Sequence, residues 1–212
     1  MIHRHSDAGQ AFPIYITAVA GLLFLAFAYF AVGMASASRN DAQGAADAAA
    51  LAAAQDARDG LRDDLLELFD PDVWEYLLSG EGLEDTVGPC GRAAEFAQKN
   101  GAERIGCDPV YSPSGFTVEV RNTEPVGDSL IPGTENEYAR ATATAVIEPR
   151  CRLGEAEDPG GGGEANEEDE QAHELLCDGI DDPIEIDPDR LEDLEDVLPD
   201  PEDLFSVHLA DR

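Results

Sequence analysis

The chain has 212 residues, a formal net charge of −33 at pH 7 and a pI near 4.1. The charge is concentrated between Gly154 and Leu204, where 22 Asp and Glu residues stand against one basic residue, Arg190. Phosphates and anionic lipid headgroups bind Lys and Arg. The composition therefore excludes nucleic acid and an anionic lipid surface as expected partners.

The first predicted element is a membrane span. No charged residue lies between Ala8 and Ser38, and the densest apolar part runs from Phe12 to Met34. A helix of that length spans roughly 34 Å, which is enough to cross a bilayer core. We expect residues 1–11 to be a cytoplasmic N-terminus or leader. A cleaved secretory signal is the alternative, because Ala35–Ala37 has the small-x-small form of a cleavage site, but a signal core is usually shorter.

The cysteines predict the orientation of this span. Arg4 and Arg39 flank it on opposite sides, so the basic residues nearly balance. All four cysteines follow the span, which is typical of an oxidising compartment. We therefore expect a single-pass protein of the cell membrane, with its N-terminus in the cytoplasm and everything after Arg39 outside.

An alanine-rich stalk helix is predicted at 35–60. Alanine is the strongest helix former, and no proline interrupts the chain between Pro13 and Pro71. One helix is thus expected to run from the membrane to about Arg58–Gly60. Two interpretations of its small side chains stay open: the helix packs against copies of itself or related subunits, or it packs only onto its own head domain.

Small residues also recur inside the span at the spacing that lets helices approach closely. Thr17 and Gly21 form one small-xxx-small pair, and Gly33 and Ala37 form another. This spacing favours contact with a second helix in the membrane.

The alanine-rich segment and the span before it resemble a known family. A short N-terminus and an apolar span are followed by Gln43-Gly44-Ala45-Ala46-Asp47-Ala48-Ala49-Ala50-Leu51-Ala52. This order is similar to the signature after the membrane helix of TadE/TadG-like Flp (tight adherence) pilus-assembly proteins, over roughly the first 60 residues. The remainder looks most like the actinobacterial TadG-like type. The signature-helix residues that carry the resemblance are Gln43, Ala46, Asp47, Ala50 and Leu51.

The resemblance implies a pilin-like, non-catalytic component of a Flp/Tad-type pilus or secretion system. Its implied partners are pilus subunits or other copies of the chain, contacted through the N-terminal helix. It also implies a possible leader cleavage after Gly9, which would make Gln10 the first residue. Pilins of this kind carry Glu at the fifth position after the cut, and this chain has Ile14 there.

The segment 61–152 is expected to form a small α+β extracytoplasmic head, with short helices on one face of an antiparallel sheet. Helices are predicted within Leu61–Phe69, after Asp70-Pro71 up to Gly80, and over Arg92–Asn100. Alternating side chains predict strands at Phe116–Arg121 and Tyr138–Ile147, and the stretch 105–111 is a candidate third strand. Trp74 is interpreted as a core residue rather than a binding anchor.

Four cysteines allow three disulfide connectivities. Proximity in the chain favours Cys90 with Cys107 and Cys151 with Cys177. Each bond would contribute on the order of 3 kcal/mol. Free thiols in a cytoplasmic protein are the alternative.

The C-terminal third is expected to be an acidic insert without regular structure at 153–179, followed by an acidic segment at 180–212. Apolar residues in that last segment predict that it docks back onto the head, with a short helix at Arg190–Val197. Its carboxylates lack the spacing of an EF-hand loop, so no specific calcium site is expected.

Nothing in the sequence indicates catalysis. The chain lacks the nucleophile-elbow, zinc-protease, P-loop and dinucleotide-binding motifs, and none of its four histidines lies beside a candidate nucleophile. We expect no enzyme activity, cofactor, metal or small-molecule substrate. A secreted or anchored acidic surface protein that binds cations or a basic partner is the alternative function.

Overall fold

The longest element of the protein is a single helix. A computed structural model describes residues 11–67, 69–80, 82–83, 86–125, 136–155, 173–186 and 194–211. Helix α1 spans Ala11–Glu67, about 85 Å. The predicted end near Gly60 is wrong, because the helix continues through that glycine. Leu61 and Leu65 are buried beyond it, and their burial offsets the roughly 1 kcal/mol cost of glycine in a helix.

Two further helices belong to the head. Helix α2, Pro71–Leu78, begins at the predicted cap, where the Asp70 carboxylate accepts hydrogen bonds from the backbone N–H groups of Asp72 and Val73. Trp74 is fully buried, as predicted. Helix α3, Val87–Lys99, starts five residues before the predicted boundary. It is followed by Gly101, whose φ of 71° is a conformation that glycine adopts without strain.

The main sheet has four antiparallel strands: β1 Ala102–Tyr111, β2 Ser114–Asn122, β3 Arg140–Pro149 and β7 Phe205–Leu209. They lie in the order β1-β2-β3-β7. The strand predicted at 116–121 is confirmed as β2 with wider bounds, and the strand predicted at 138–147 is confirmed as β3, which lies two residues further along the chain. The candidate third strand is β1. Gly115 of β2 lies so close to the backbone of Ala145 and Val146 in β3 that a β-carbon there would collide with it.

A second, three-stranded sheet flanks the acidic insert. It consists of β4 Cys151–Glu155, β5 His173–Cys177 and β6 Ile184–Ile186, in that order. The predicted irregular insert at 153–179 is therefore wrong at both ends, which pair as strands. Its middle, 156–172, lies outside the described residues.

The C-terminal segment completes the main sheet. Two single-turn helices, α4 Leu194–Val197 and α5 Pro201–Leu204, lead into β7. The predicted helix at 190–197 is seen only as α4, since 187–193 is outside the described residues. Leu204 and Phe205 are fully buried, and β7 pairs with β3. The predicted docking of the tail onto the head is thus confirmed.

The core lies between the C-terminal half of α1, helix α3 and one face of the four-stranded sheet. Phe116, Val118 and Val120 of β2 contribute the sheet side of this core, and Ala93 and Ala97 contribute from α3. The predicted α+β class, a long helix followed by helices on one face of an antiparallel sheet, is confirmed.

Candidate assembly surfaces

The N-terminal half of α1 is an apolar rod that the described head does not cover. Every described side chain from Phe12 to Ala37 is exposed, including Phe12 at 73% and Tyr29 at 84%. Its most apolar window has a mean hydropathy of 2.2 and no buried residue. Exposed apolar surface of this extent marks a membrane or protein contact. By length and composition this half of the helix is a candidate membrane span.

The small residues of the rod leave open space on its surface. A β-carbon placed on Gly21 or Gly33 would meet no atom within 4 Å. The Thr17 hydroxyl donates to the backbone carbonyls of Pro13 and Ile14, at 3.0 and 2.9 Å. Its polar group is thus satisfied inside its own helix. The small residues Gly21 and Gly33 therefore lie on exposed surface that another helix can approach.

The head begins where the rod ends. The side-chain Nδ2 of Asn122, at the end of β2, donates to the backbone carbonyl of Ser38 at 3.2 Å. Met34, Ala37 and Pro125 border the same hollow, whose volume is about 270 Å³. The helix predicted over 35–60 is present, and the sheet packs along most of that segment. Sequence analysis missed Asn122, which lies 84 residues from its partner and is marked by no local pattern.

The alanine-rich face of α1 is occupied by the chain's own head. Ala49, Ala50 and Ala53 have no exposed surface, and Ala57 has only 7%. These residues pack with the apolar side chains of β2, β3 and α3 in one core. Of the two interpretations of the alanines, packing onto the head is the one the structure shows. Small side chains are needed here because they let the helix backbone lie close to the sheet.

The signature residues have distinct places in this contact. Ala46 and Ala50 face the core with no exposed surface, and Leu51 packs partly buried against it. The Gln43 amide donates to the Asp47 carboxylate at 2.7 Å and to the backbone carbonyl of Thr142 in β3 at 3.5 Å. The polar pair thus lies where α1 meets the edge of β3.

The four cysteines form two bonds in the head. Cys90 is bonded to Cys107, which ties α3 to β1, and Cys151 is bonded to Cys177, which ties β4 to β5. These are the pairs that proximity in the sequence favours. Both bonds lie on the C-terminal side of the candidate span.

The structure also locates the two histidines of the C-terminal third. His173, expected in an irregular insert, lies in β5 with its ring 5.3 Å from that of Phe69. His208 lies in β7, 3.8 Å from the carboxylate of Glu148. Within the described ranges, no group of three or more His, Cys, Asp or Glu side chains is placed to hold a metal ion.

Comparison with known proteins finds a family match in the region of α1. Residues 9–56 match the Flp pilus-assembly TadE/G-like family model. The TadE/G-like segment thus comprises the apolar rod and the alanine-rich part of α1 that carries the sheet. Gly9 and Gln10, the candidate leader junction, fall at its start and outside the described residues. A search of curated proteins and a search of solved structures found no match.

Proposed function

We propose that the protein is a membrane-anchored, non-catalytic component of a Flp/Tad-type pilus or secretion system. The observation that carries this proposal is the division of one continuous helix into two parts. Its apolar half is not covered by the head, and its alanine-rich half packs in the core of the head. The TadE/G-like match covers the apolar half and the alanine-rich half as far as Asp56. The head holds the chain at one face of the membrane, and the rod provides the surface for assembly.

The proposed topology is single-pass, with the N-terminus in the cytoplasm and the head outside. Two disulfides in the head support it, because such bonds persist in oxidising compartments. The contact between Asn122 and Ser38 sets the head directly against the end of the span. The edge of the head that contains Asn122 is therefore proposed to lie at the membrane surface rather than at the tip of a stalk.

Assembly is proposed to occur through the rod, against pilus subunits or other copies of the chain. The alanine face cannot serve this role, because the head already buries it. Gly21 and Gly33 each leave open surface for a second helix, on faces about 120° apart around α1. In the membrane, association depends on such close backbone approach. Cleavage after Gly9, if it takes place, would leave this surface intact.

Replacement of Gly21 by Leu tests assembly through the rod. Its matched control is Ala20→Leu, an exposed position about 100° from Gly21 and about 140° from Gly33 around the same helix. We expect Gly21→Leu to reduce cross-linking within the membrane to Flp-system subunits or to other copies, and Ala20→Leu to leave it unchanged. Equal cross-linking in both variants would contradict assembly through this surface.

Proteolysis of intact cells tests the topology. A protease added outside should digest the head after reduction of its disulfides and leave a membrane-protected fragment that contains 12–34. Protection of the head until the membrane is permeabilised would reverse the proposed orientation.

A further inference from the structure

A groove opens at the end of the head that is farthest from the candidate span. It has a volume of about 740 Å³ and lies between the last turns of α1, helix α2 and the start of α3. Its apolar side includes Leu61, Leu77 and Leu83, which are almost fully buried, and Val73 and Tyr76, which are 41% and 45% exposed. A groove with partly exposed apolar walls can receive an apolar side chain of a partner.

The opposite wall of the groove is acidic. Five carboxylates of α1 line it, and two of them have a basic neighbour: Asp59 pairs with Arg58 at 2.8 Å and Asp56 with Arg92 at 3.7 Å. The other three are Asp63, Asp64 and Glu67.

These three carboxylates lie at the C-terminal end of α1, whose last turn has no basic residue. A helix C-terminus carries partial negative charge and favours cations, so this placement is electrostatically unfavourable. Partial burial, and then the charges of Glu67 and Asp63, raise the pKa of the Asp64 carboxyl. The nearest basic residue in the sequence, Arg62, donates instead to the backbone carbonyl of Pro199 at 3.1 Å. A cation supplied from outside would relieve this repulsion.

Gly60 lies at the centre of the acidic wall. Helical spacing places it three or four residues from Asp56, Asp63 and Asp64, on one surface of α1. A β-carbon at Gly60 would meet no atom within 4 Å, and its φ is not positive. The fold therefore does not require a glycine there, although glycine costs about 1 kcal/mol in a helix interior. Its effect is to keep the groove open.

We propose that this groove binds a basic protein segment, in which Lys or Arg side chains flank an aliphatic or aromatic one. The basic groups face Asp63, Asp64 and Glu67, and the apolar group packs against Val73 and Tyr76. A metal ion does not fit this role, because the described residues contain no group of three ligands placed to hold one. A second copy of the chain is also disfavoured, since each copy carries a net charge of −33.

The binding surface is separate from the proposed assembly surface. About 29 residues of α1 separate Met34 from Asp63, roughly 44 Å of helix. The protein can therefore contact one partner in the membrane and another at its far pole. Failure of this inference leaves the proposed membrane role untouched, because no residue is shared between the two surfaces.

Peptide binding to the full chain in zwitterionic nanodiscs tests the proposal. The probe is a short fluorescein-labelled peptide of Lys and Leu at helical spacing; one control peptide has Glu in place of Lys, and another has Ser in place of Leu. Gly60→Phe fills the groove. Gly44→Phe is its matched control, because Gly44 lies on the same helix and a β-carbon there likewise meets no atom within 4 Å. We expect Gly60→Phe to weaken binding by about tenfold or more, and Gly44→Phe to leave it unchanged.

A charge variant tests the acidic wall independently of the groove's shape. Asp63→Asn, Asp64→Asn and Glu67→Gln are combined, and the control combines Asp181→Asn, Asp182→Asn and Glu185→Gln, which removes the same charge from exposed positions elsewhere. We expect about a tenfold loss of affinity in the first variant and less than about twofold in the second. Both control peptides should bind at least about tenfold more weakly than the Lys and Leu probe.

Three results would overturn the proposal. Equal losses in the two charge variants would mean that the peptide responds only to net charge. Unchanged affinity in both Gly60→Phe and the groove charge variant would place the binding site elsewhere. Self-association that Gly60→Phe abolishes, without peptide binding, would assign the groove to a second copy of the chain.

Discussion

Substitution of Ala53 by Leu tests whether the alanine face of α1 belongs to the head. Ala53 has no exposed surface and lies in the core shared by α1 and the sheet. The added carbons have no free volume to occupy, and overpacking of this kind costs about 1–3 kcal/mol. For a domain of this size each kcal/mol lowers the Tm by about 2–4 °C. The expected decrease in Tm is therefore roughly 2–12 °C.

Trp74 makes this decrease measurable by intrinsic fluorescence. It is the only tryptophan and is fully buried in the head, so its emission reports unfolding of the head without interference from the rod. The matched control is Gln55→Leu, at an exposed position two residues further along the same helix. That control should change stability by no more than about 0.5 kcal/mol. A Tm for Ala53→Leu equal to that of the control, with reduced cross-linking to partners, would refute the packing of this face onto the head.

Three other perturbations have expected outcomes. Replacement of Cys151 and Cys177 by Ser opens a link across 26 residues, so we expect about 3.5 kcal/mol lower stability, measured by denaturant titration of the Trp74 emission under oxidising conditions. Asp64→Asn should raise the denaturation midpoint of the head at pH 7, because the raised pKa of Asp64 means that the folded state disfavours its charge. This gain in stability should vanish as the pH falls below 3.8, where the Asp64 carboxyl is protonated in both the folded and the unfolded state. A gain that persists below that pH would contradict this explanation. Asn122→Ala removes the hydrogen bond to Ser38 and should lower the free energy of unfolding by about 0.5–1.5 kcal/mol. Backbone amides of α1 near Ser38 should exchange hydrogen faster in this variant. Unchanged exchange would mean that this hydrogen bond does not hold the head against α1.

Local patterns predicted much of this fold. Alternation of apolar side chains gave β2 and β3, because each presents one face to the core and one to solvent. The cap at Asp70 and the following proline predicted the start of α2, because both act within one turn. The length and apolar composition of Phe12–Met34 predicted a membrane span, and the structure has a candidate span there.

The errors come from contacts between residues distant in the chain. An alanine-rich helix looks the same whether a sheet or a partner covers it, so nothing local showed that Ala49 and Ala53 are core residues. The helix was predicted to stop at Gly60, but packing of Leu61 and Leu65 continues it. Likewise β4 and β5 were missed, because each has only five residues and its partner strand lies beyond the acidic insert.

The groove could not have been predicted for a similar reason. Carboxylates are so frequent in this chain that Asp63, Asp64 and Glu67 attract no notice in the sequence. These three carboxylates differ from the others because the fold places them in one groove with Val73 and Tyr76 of α2.

Anchoring by the rod is the central claim, and the mass of the mature N-terminus tests it most directly. The chain should be isolated separately from washed membranes, from material sheared off the cells and from the medium. The account predicts a chain that retains 12–34, with its N-terminus at Met1 or Gln10, in the membrane fraction. Gln10 in sheared material would additionally assign it to a filament. A chain that begins at Ser38 and is found in the medium would contradict the account, because the apolar half of α1 would then be only a cleaved signal.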